Sequence, residues 1–285
     1  MILAEDWVDF RVLDAGNGEK LEKWGDALLL RPDPQAIWPA EGLENTPGLA
    51  GRYHRARQGG GRWQVFRELP RRWVISWRDT KFYVGPMGFK HTGLFPEQAG
   101  NWSWMRQQIR DFGKPCSVLN LFAYTGGATL AALREGASVT HVDASKGMLQ
   151  WAKDNVALNG LEDRPVRYIM EDCMKFVLRE GRRGRKYQGI LLDPPSYGRG
   201  PDGSMWRLEE DLYPLLTACA ALLDDEAAFF LLNSYTTGLQ PALMGNLLTL
   251  ALGGRGGNVT AEEVCLPVDR RRIVLPCGAA ARWTP

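Results

Sequence analysis

Apolar and polar positions divide the chain into a strongly patterned C-terminal part and a weakly patterned N-terminal part. In the C-terminal part, apolar runs of buried-strand length alternate with stretches whose apolar residues recur at helical spacing. Residues 118–123 read as a strand, followed by Tyr124-Thr125-Gly126-Gly127. Residues 129–135 read as a helix stopped at Gly136, where a left-handed cap costs little, and 138–142 as a second strand ending at Asp143. Met148, Leu149, Ala152, Val156 and Ala157 mark the core face of a helix over 146–159. The alternation continues with strands at 167–170, 187–192 and 227–232 and helices at 174–179, 208–223 and 241–252. Residues 259–268 and 273–283 are expected to close the sheet as an antiparallel pair joined through Asp269-Arg270-Arg271-Arg272. The pattern predicts an α/β domain, with no internal repeat.

Upstream, residues 8–13 and 27–30 are short strand-like pieces around an Asp14-Ala15-Gly16-Asn17-Gly18 turn. Arg31-Pro32-Asp33-Pro34 and Trp38-Pro39 break regular structure. Trp7, Trp24 and Trp38 read as packing residues rather than base-stacking ones. Residues 52–72, rich in arginine and containing Gly59-Gly60-Gly61, read as a mobile basic loop. Residues 73–77 and 81–84 flank Arg78-Asp79-Thr80 as a hairpin, and a helix is expected over 101–112. Two domains follow: residues 1–88, a β-rich and partly basic substrate-binding module, and residues 89–285, the α/β domain.

The 285 residues, 45% hydrophobic and 24% charged, suffice for one large core and a smaller one. No run of 18 apolar residues occurs, and the acidic N-terminus does not read as a signal peptide, so no membrane partner is expected. Cys116, Cys173, Cys219, Cys265 and Cys277 show no C-x-x-C spacing and are expected to be reduced thiols of a cytoplasmic protein, with no metal site. The net charge of +2 hides an asymmetry: residues 1–51 carry four basic and ten acidic side chains, residues 52–90 ten basic and two acidic. Such a block leaves an electrostatic footprint, either as a solvated loop or as a phosphate contact with Trp63 and Phe66 available for stacking. Arg182, Arg183, Arg185 and Lys186 form a second basic loop, at the opposite end of the sheet from the ligand, and read as a solvated turn.

Strand, glycine turn, helix, strand and terminal carboxylate make half of a nucleotide-binding unit. The glycines allow close backbone approach, the helix N-terminus offers free N–H groups, and Asp143 can accept both ribose hydroxyls of an adenosine. An ordinary βαβ crossover shares these features. A nicotinamide oxidoreductase is disfavoured because Gly126 and Gly127 are adjacent and G-x-G-x-x-G is absent. The second landmark is Ile190-Leu191-Leu192-Asp193-Pro194-Pro195-Ser196-Tyr197, a buried strand ending in Asp-Pro-Pro.

With both landmarks, the sequence from Phe89 onward resembles the class I S-adenosylmethionine-dependent methyltransferases. It is most similar to the large-subunit ribosomal RNA base methyltransferases, with their N-L-F-x-Y-T-G-G and D-P-P-S-[FY] signatures. The resemblance implies a Rossmann-like seven-stranded sheet with a small N-terminal β-rich domain, S-adenosylmethionine as cofactor, and RNA, in particular ribosomal RNA, as partner. It implies cofactor contacts from Ala123, Tyr124, Thr125, Gly126, Gly127, Asp143, Ala144, Ser145 and Asp193, with Glu171 or Asp172 accepting the adenine amino group. Asp172 can also cap the following helix, and the two roles can coexist. The family's K-T-G-x-[FY]-x-x-Q stretch lies against the cofactor. Here it reads Lys90-His91-Thr92-Gly93-Leu94-Phe95-Pro96-Glu97-Gln98, which carries over Thr92, Gly93, Phe95 and Gln98 and leaves His91 as a structural residue.

Asp193, Pro194, Pro195 and Tyr197 form the expected catalytic set. The prolines supply no N–H, Asp193 and backbone carbonyls accept from a flat amino-bearing base, and Tyr197 stacks on it. Residues 198–203 and Trp206 read as a mobile loop closing over substrate. Methylation at cytosine C5 needs a cysteine nucleophile, which the resembled cytosine enzymes carry just after the fifth strand. Here that segment is Asn233-Ser234-Tyr235-Thr236-Thr237-Gly238, so a nitrogen acceptor is favoured. The alternatives are a methyltransferase acting on protein or a small molecule, and a non-catalytic RNA-binding module on the same fold.

Overall fold

A computed structural model describes residues 1–56, 60–199, 203–236 and 238–285. The tip of the expected basic loop (Arg57, Gln58, Gly59), three residues of the expected closing loop (Gly200, Pro201, Asp202) and Thr237 lie outside the described residues. In chain order the first strands are β1 (Ile2–Leu3), β2 (Phe10–Gly16), β3 (Glu19–Trp24), β4 (Ala27–Pro32), β5 (Leu49–Arg55), β6 (Gly61–Val65), β7 (Trp73–Trp77) and β8 (Thr80–Val84). There follow α1 (Ala99–Phe112), β9 (Ser117–Leu121), α2 (Gly127–Arg134), β10 (Ser138–Asp143), α3 (Lys146–Leu158), β11 (Val166–Met170) and α4 (Cys173–Arg182). The chain ends with β12 (Gly189–Leu192), β13 (Tyr197–Arg199), β14 (Met205–Arg207), α5 (Leu208–Ala220), β15 (Phe229–Ser234), α6 (Pro241–Leu252), β16 (Asn258–Val268) and β17 (Ile273–Thr284). The chain packs as two compact units: Ile2–Gly100 with Val264–Cys277, and Met1, Asn101–Glu263 with Gly278–Pro285.

In the larger unit the strand order is β11-β10-β9-β12-β15-β17-β16, the seven strands expected. The first five are mutually parallel and β17 runs antiparallel to β15. Parallel strands joined by helices read as continuous apolar runs because both faces are covered, which is why β9, β12 and β15 are visible in the sequence. Leu119 and Leu121 point to one face and pack with Phe176 of α4, Leu215 and Leu216 of α5 and Leu248 of α6. Asn120 and His141, side by side in the register, point to the other and meet Thr129 of α2. The order reverses between β9 and β12, so their C-terminal ends open the crevice where open α/β sheets bind ligands.

In the smaller unit, β2 to β5 follow one another across a sheet edged by β6, and β7 pairs with β8 as a separate hairpin. Trp24 is fully buried. The indole N–H groups of Trp7 and Trp38 donate to Pro96 O and Ala15 O, as befits packing residues. One strand was not expected and one expectation is corrected. Glu19–Trp24 is a strand that charged residues hid from an apolar pattern. Residues 52–72 are not a loop throughout: β5 and β6 pair antiparallel from Arg55↔Gly61 to Gly51↔Val65. Tyr53 and Trp63 meet edge to face at 5.5 Å across that pair. Arg52 forks onto Glu19 at 2.8 and 2.9 Å, so an arginine counted as loop charge is a sheet ion pair.

Candidate active site

Four strands of the larger unit end together. Leu121 is opposite both Val142 and Leu192, and Leu192 is opposite Leu232. The next residue of each strand is therefore at the rim: Phe122, Asp143, Asp193 and Asn233. After β9 the chain takes left-handed conformations at Phe122 (φ 55°) and Tyr124 (φ 50°), rare for residues with a Cβ, and at Gly126 (φ 88°). Neighbouring groups hold this path. Ala123 N donates to Val142 O at 3.0 Å, Tyr124 N to Asp143 Oδ2 at 2.9 Å, and Asn155 Nδ2 to Thr125 O at 2.9 Å. Beneath them Thr129 Oγ1 lies 2.9 Å from both Asn120 Nδ2 and His141 Nδ1. Burial pushes His141 down to about 3, so it is a neutral strut.

The two glycines answer to packing. A Cβ on Gly127 would lie 2.6 Å from Trp102 Cζ2, and one on Gly126 would lie 3.1 Å from Ala152 Cβ. Gly126 caps α2 without a side-chain bond, so the first-turn amides of that helix face the rim without intrahelical acceptors.

Asp143 is fixed through both oxygens: Tyr124 N donates to one and Ser145 N to the other at 2.8 Å. Burial raises its pKa, and those two N–H bonds oppose the rise. Ser145 in turn caps α3 through Met148 N, with Ala144 between the two. After β11, Asp172 caps α4 by accepting from Lys175 N at 3.0 Å, and Glu171 accepts from Arg179 at 2.6 Å. Both acids therefore have structural partners.

At the end of β12, Asp193 Oδ1 accepts from Asn233 Nδ2 at 2.7 Å. Pro195 O accepts from Trp206 Nε1 at 2.6 Å, and the Trp206 ring packs 5.1 Å from that of Phe122. Trp206 is 8% exposed in β14, which pairs antiparallel with β13. This corrects the expectation of a mobile loop at Trp206: the indole is a packed strut tying the Asp-Pro-Pro turn to the Phe122 bend. Tyr197 is exposed, its hydroxyl 3.4 Å from Met205 Sδ.

Thr92, Gly93, Phe95 and Gln98 belong to the smaller unit. Thr92 is fully buried and its Oγ1 has no partner, Gly93 has φ 85°, the Phe95 ring lies 5.0 Å from that of His91 at a tilt of 55°, and Gln98 is buried in a short 3-10 turn. Burial, then Arg31, Lys90 and Lys20, hold His91 at about 3, which leaves it neutral. Burial pushes the thiols of Cys116, Cys173, Cys219 and Cys277 up, so none is a ready nucleophile. Cys173 is buried at the start of α4. No group of His, Cys, Asp or Glu among the described residues has the arrangement of a metal site.

The family model of S-adenosylmethionine-dependent methyltransferases matches residues 50–230. A solved S-adenosylmethionine-dependent methyltransferase from Agrobacterium tumefaciens is 37% identical, covers 100% of this chain and 93% of its own, and superposes with a TM-score of 0.94. The chain belongs to the S-adenosylmethionine-dependent methyltransferase family. Among curated methyltransferases, the ribosomal RNA large subunit methyltransferase K/L of Shewanella frigidimarina is 30% identical over 251 residues, 87% of this chain and 32% of that protein. The ribosomal RNA large subunit methyltransferase K of Neisseria meningitidis serogroup B is 27% identical over 229 residues, 77% of this chain and 64% of that protein. The chain thus spans about a third of the K/L relative.

The methyl donor of this methyltransferase is S-adenosylmethionine, and the donors and acceptors at the rim fit it. A carboxylate offers roughly four lone-pair sites, and two of those on Asp143 are taken by backbone amides, which leaves room for a pair of hydroxyls without reorienting the group. The uncapped N-terminus of α2 favours a carboxylate. Sequence reading missed Asn233, seen there only as a position without cysteine, and misplaced Trp206. It also missed the Asn120–Thr129–His141 strut, whose members sit within otherwise apolar runs and meet only through strand register.

No helix among the described residues is long and apolar enough to cross a membrane.

Proposed function

We propose that this methyltransferase methylates a base nitrogen of ribosomal RNA in the cytoplasm. The observation that carries the reading is Asp193, held at the tip of β12 one residue beyond the rung it shares with the cofactor-loop strand. The segment after β15, residues 233–238, carries no cysteine to serve as the nucleophile of cytosine C5 methylation, and Cys116, Cys173, Cys219 and Cys265 are buried, which supports a nitrogen acceptor. The names of the K/L and K relatives support ribosomal RNA as the substrate class.

In this reading Asp143 takes the ribose hydroxyls, and Glu171 or Asp172 the adenine amino group. Ala123, Tyr124, Thr125, Gly126, Gly127, Ala144 and Ser145 enclose the rest. When bound, S-adenosylmethionine supplies a methyl group on a positively charged sulfur. Asp193 accepts a hydrogen bond from the acceptor N–H and aims the nitrogen lone pair. Pro194 offers a backbone carbonyl beside it, since that of Pro195 is occupied by Trp206. Tyr197 stacks on the base. The N-terminal module, residues 1–88, holds RNA through Arg55, Arg62, Arg67 and Arg71, all exposed and without carboxylate partners among the described residues. Phe66 and Phe89, 48% and 63% exposed, are available for stacking.

The test is incubation with methyl-labelled S-adenosylmethionine and unmodified 23S ribosomal RNA, followed by nuclease digestion. An N-methylated nucleoside is expected. A 5-methylcytosine product contradicts the nitrogen acceptor. Label found in protein or small molecules but not in RNA moves the substrate to those classes.

A further inference from the structure

Asp143 and Asp193 both end strands at the rim, yet they are held differently. Asp143 is pinned by backbone amides, one of them two residues on, at Ser145. Asp193 is followed by Pro194 and Pro195, which have no N–H, so that local clamp cannot form. A donor comes from the neighbouring strand: Asn233 Nδ2 reaches Asp193 Oδ1 at 2.7 Å. Leu192 and Leu232 are opposite each other in parallel β12 and β15, which sets Asp193 and Asn233 side by side.

Asn233 is an uneconomical residue for packing alone. It is 2% exposed and its Oδ1 is buried without a partner, which costs stability that a leucine like its neighbours Leu231 and Leu232 would not. Buried atoms left unsatisfied call for a use elsewhere in the side chain. A cation here would neutralise Asp193, and a second carboxylate at this distance would repel it. A neutral amide N–H orients the group and leaves its charge.

We infer that Asn233 is a positioning residue for methyl transfer, fixing one oxygen of Asp193 and with it the plane in which that carboxylate meets the acceptor nitrogen. The inference rests on the role of Asp193 proposed above. Asn233→Ala in the full chain should lower kcat on unmodified 23S ribosomal RNA about 10- to 100-fold, the scale of a misaligned reacting group. Calorimetric affinity for S-adenosylhomocysteine should change less than about twofold, and the melting temperature should hold or rise because the orphaned acceptor is gone. In an Asp193→Ala background, Asn233→Ala should cost nothing more, since it acts through Asp193.

Wild-type kcat in Asn233→Ala overturns the inference, as does an undiminished loss in the Asp193→Ala background. If Asp193→Ala itself keeps wild-type turnover, the reading of Asp193 fails instead. Should wild-type protein not label that RNA, crystal structures with S-adenosylhomocysteine decide. The Asp193 carboxylate should turn from its wild-type orientation in Asn233→Ala, and an unchanged orientation overturns the inference.

Discussion

Asp143 and Asp193 illustrate what single residues reveal. Both were legible in the sequence because each ends an apolar run, and an acid at that point of a parallel strand has nowhere to go but the rim. What holds them was not legible. Asn233 lies 40 residues from Asp193, and their meeting depends on the order of strands, which no local pattern encodes. If Asp143 takes the ribose hydroxyls, Asp143→Ala should weaken S-adenosylhomocysteine binding by about 2–3 kcal/mol, the worth of charge-assisted bonds. Unchanged calorimetric affinity in the folded variant would contradict that role. The glycines teach a different lesson. Their sequence signature suggested close backbone approach to a ligand, and the geometry adds close packing: Gly127 against Trp102 and Gly126 against Ala152. Gly127→Ala should therefore destabilise the protein by about 1–3 kcal/mol through overpacking, measured by urea unfolding, and an unaltered midpoint would show that the helix shifts freely.

Among elements, the parallel strands were readable and the N-terminal ones were not. Strands β9, β12 and β15 are buried on both faces and so read as nearly continuous apolar runs. Strand β3 mixes Lys20, Glu22 and Lys23 with Leu21 and Trp24; Lys20 and Glu22 are buried as ion-paired groups and Lys23 is exposed. The β5–β6 hairpin was mistaken for a loop because glycines and arginines dominate it, although its pairing aligns Tyr53 with Trp63. That correction narrows the candidate RNA surface to Arg55, Arg62, Arg67 and Arg71, since Arg52 is committed to Glu19. Replacing the four by glutamine should flatten the slope of log affinity against log salt by up to about 3.6, at roughly 0.7–0.9 per lost phosphate contact, without changing cofactor affinity. An identical slope would return the hairpin to a solvated surface.

The whole molecule carries its pH sensitivity in buried groups of both units. In the smaller unit, burial would raise the Glu22 carboxyl, but Arg31 at 2.6 Å and Lys20 overcome it and hold it at about 2, against 4.5 when free. A depressed carboxyl contributes stability above pH 4.5 that is lost as pH falls towards 2. Glu22→Gln leaves Arg31 buried without its counter-charge and should cost about 3–5 kcal/mol. In the larger unit, burial depresses His141 from 6.5 to about 3. The unfolded chain takes up a proton below 6.5 and the folded one does not, so stability present above pH 6.5 is lost on the way down to 3. Urea unfolding should weaken between pH 6.5 and 4.5 in wild type, with the buried His91 contributing alongside His141, and His141→Asn should roughly halve that slope whatever its stability at pH 7. An undiminished slope in the variant would assign it to other groups.

The measurement that bears most directly on the proposed chemistry separates binding from transfer at Asp193. If this carboxylate aims the acceptor nitrogen, Asp193→Ala should bind S-adenosylhomocysteine within a few-fold of wild type, while turnover on unmodified 23S ribosomal RNA falls by about two orders of magnitude or more. Wild-type turnover in that variant, or a loss explained wholly by failed cofactor binding, would contradict the account.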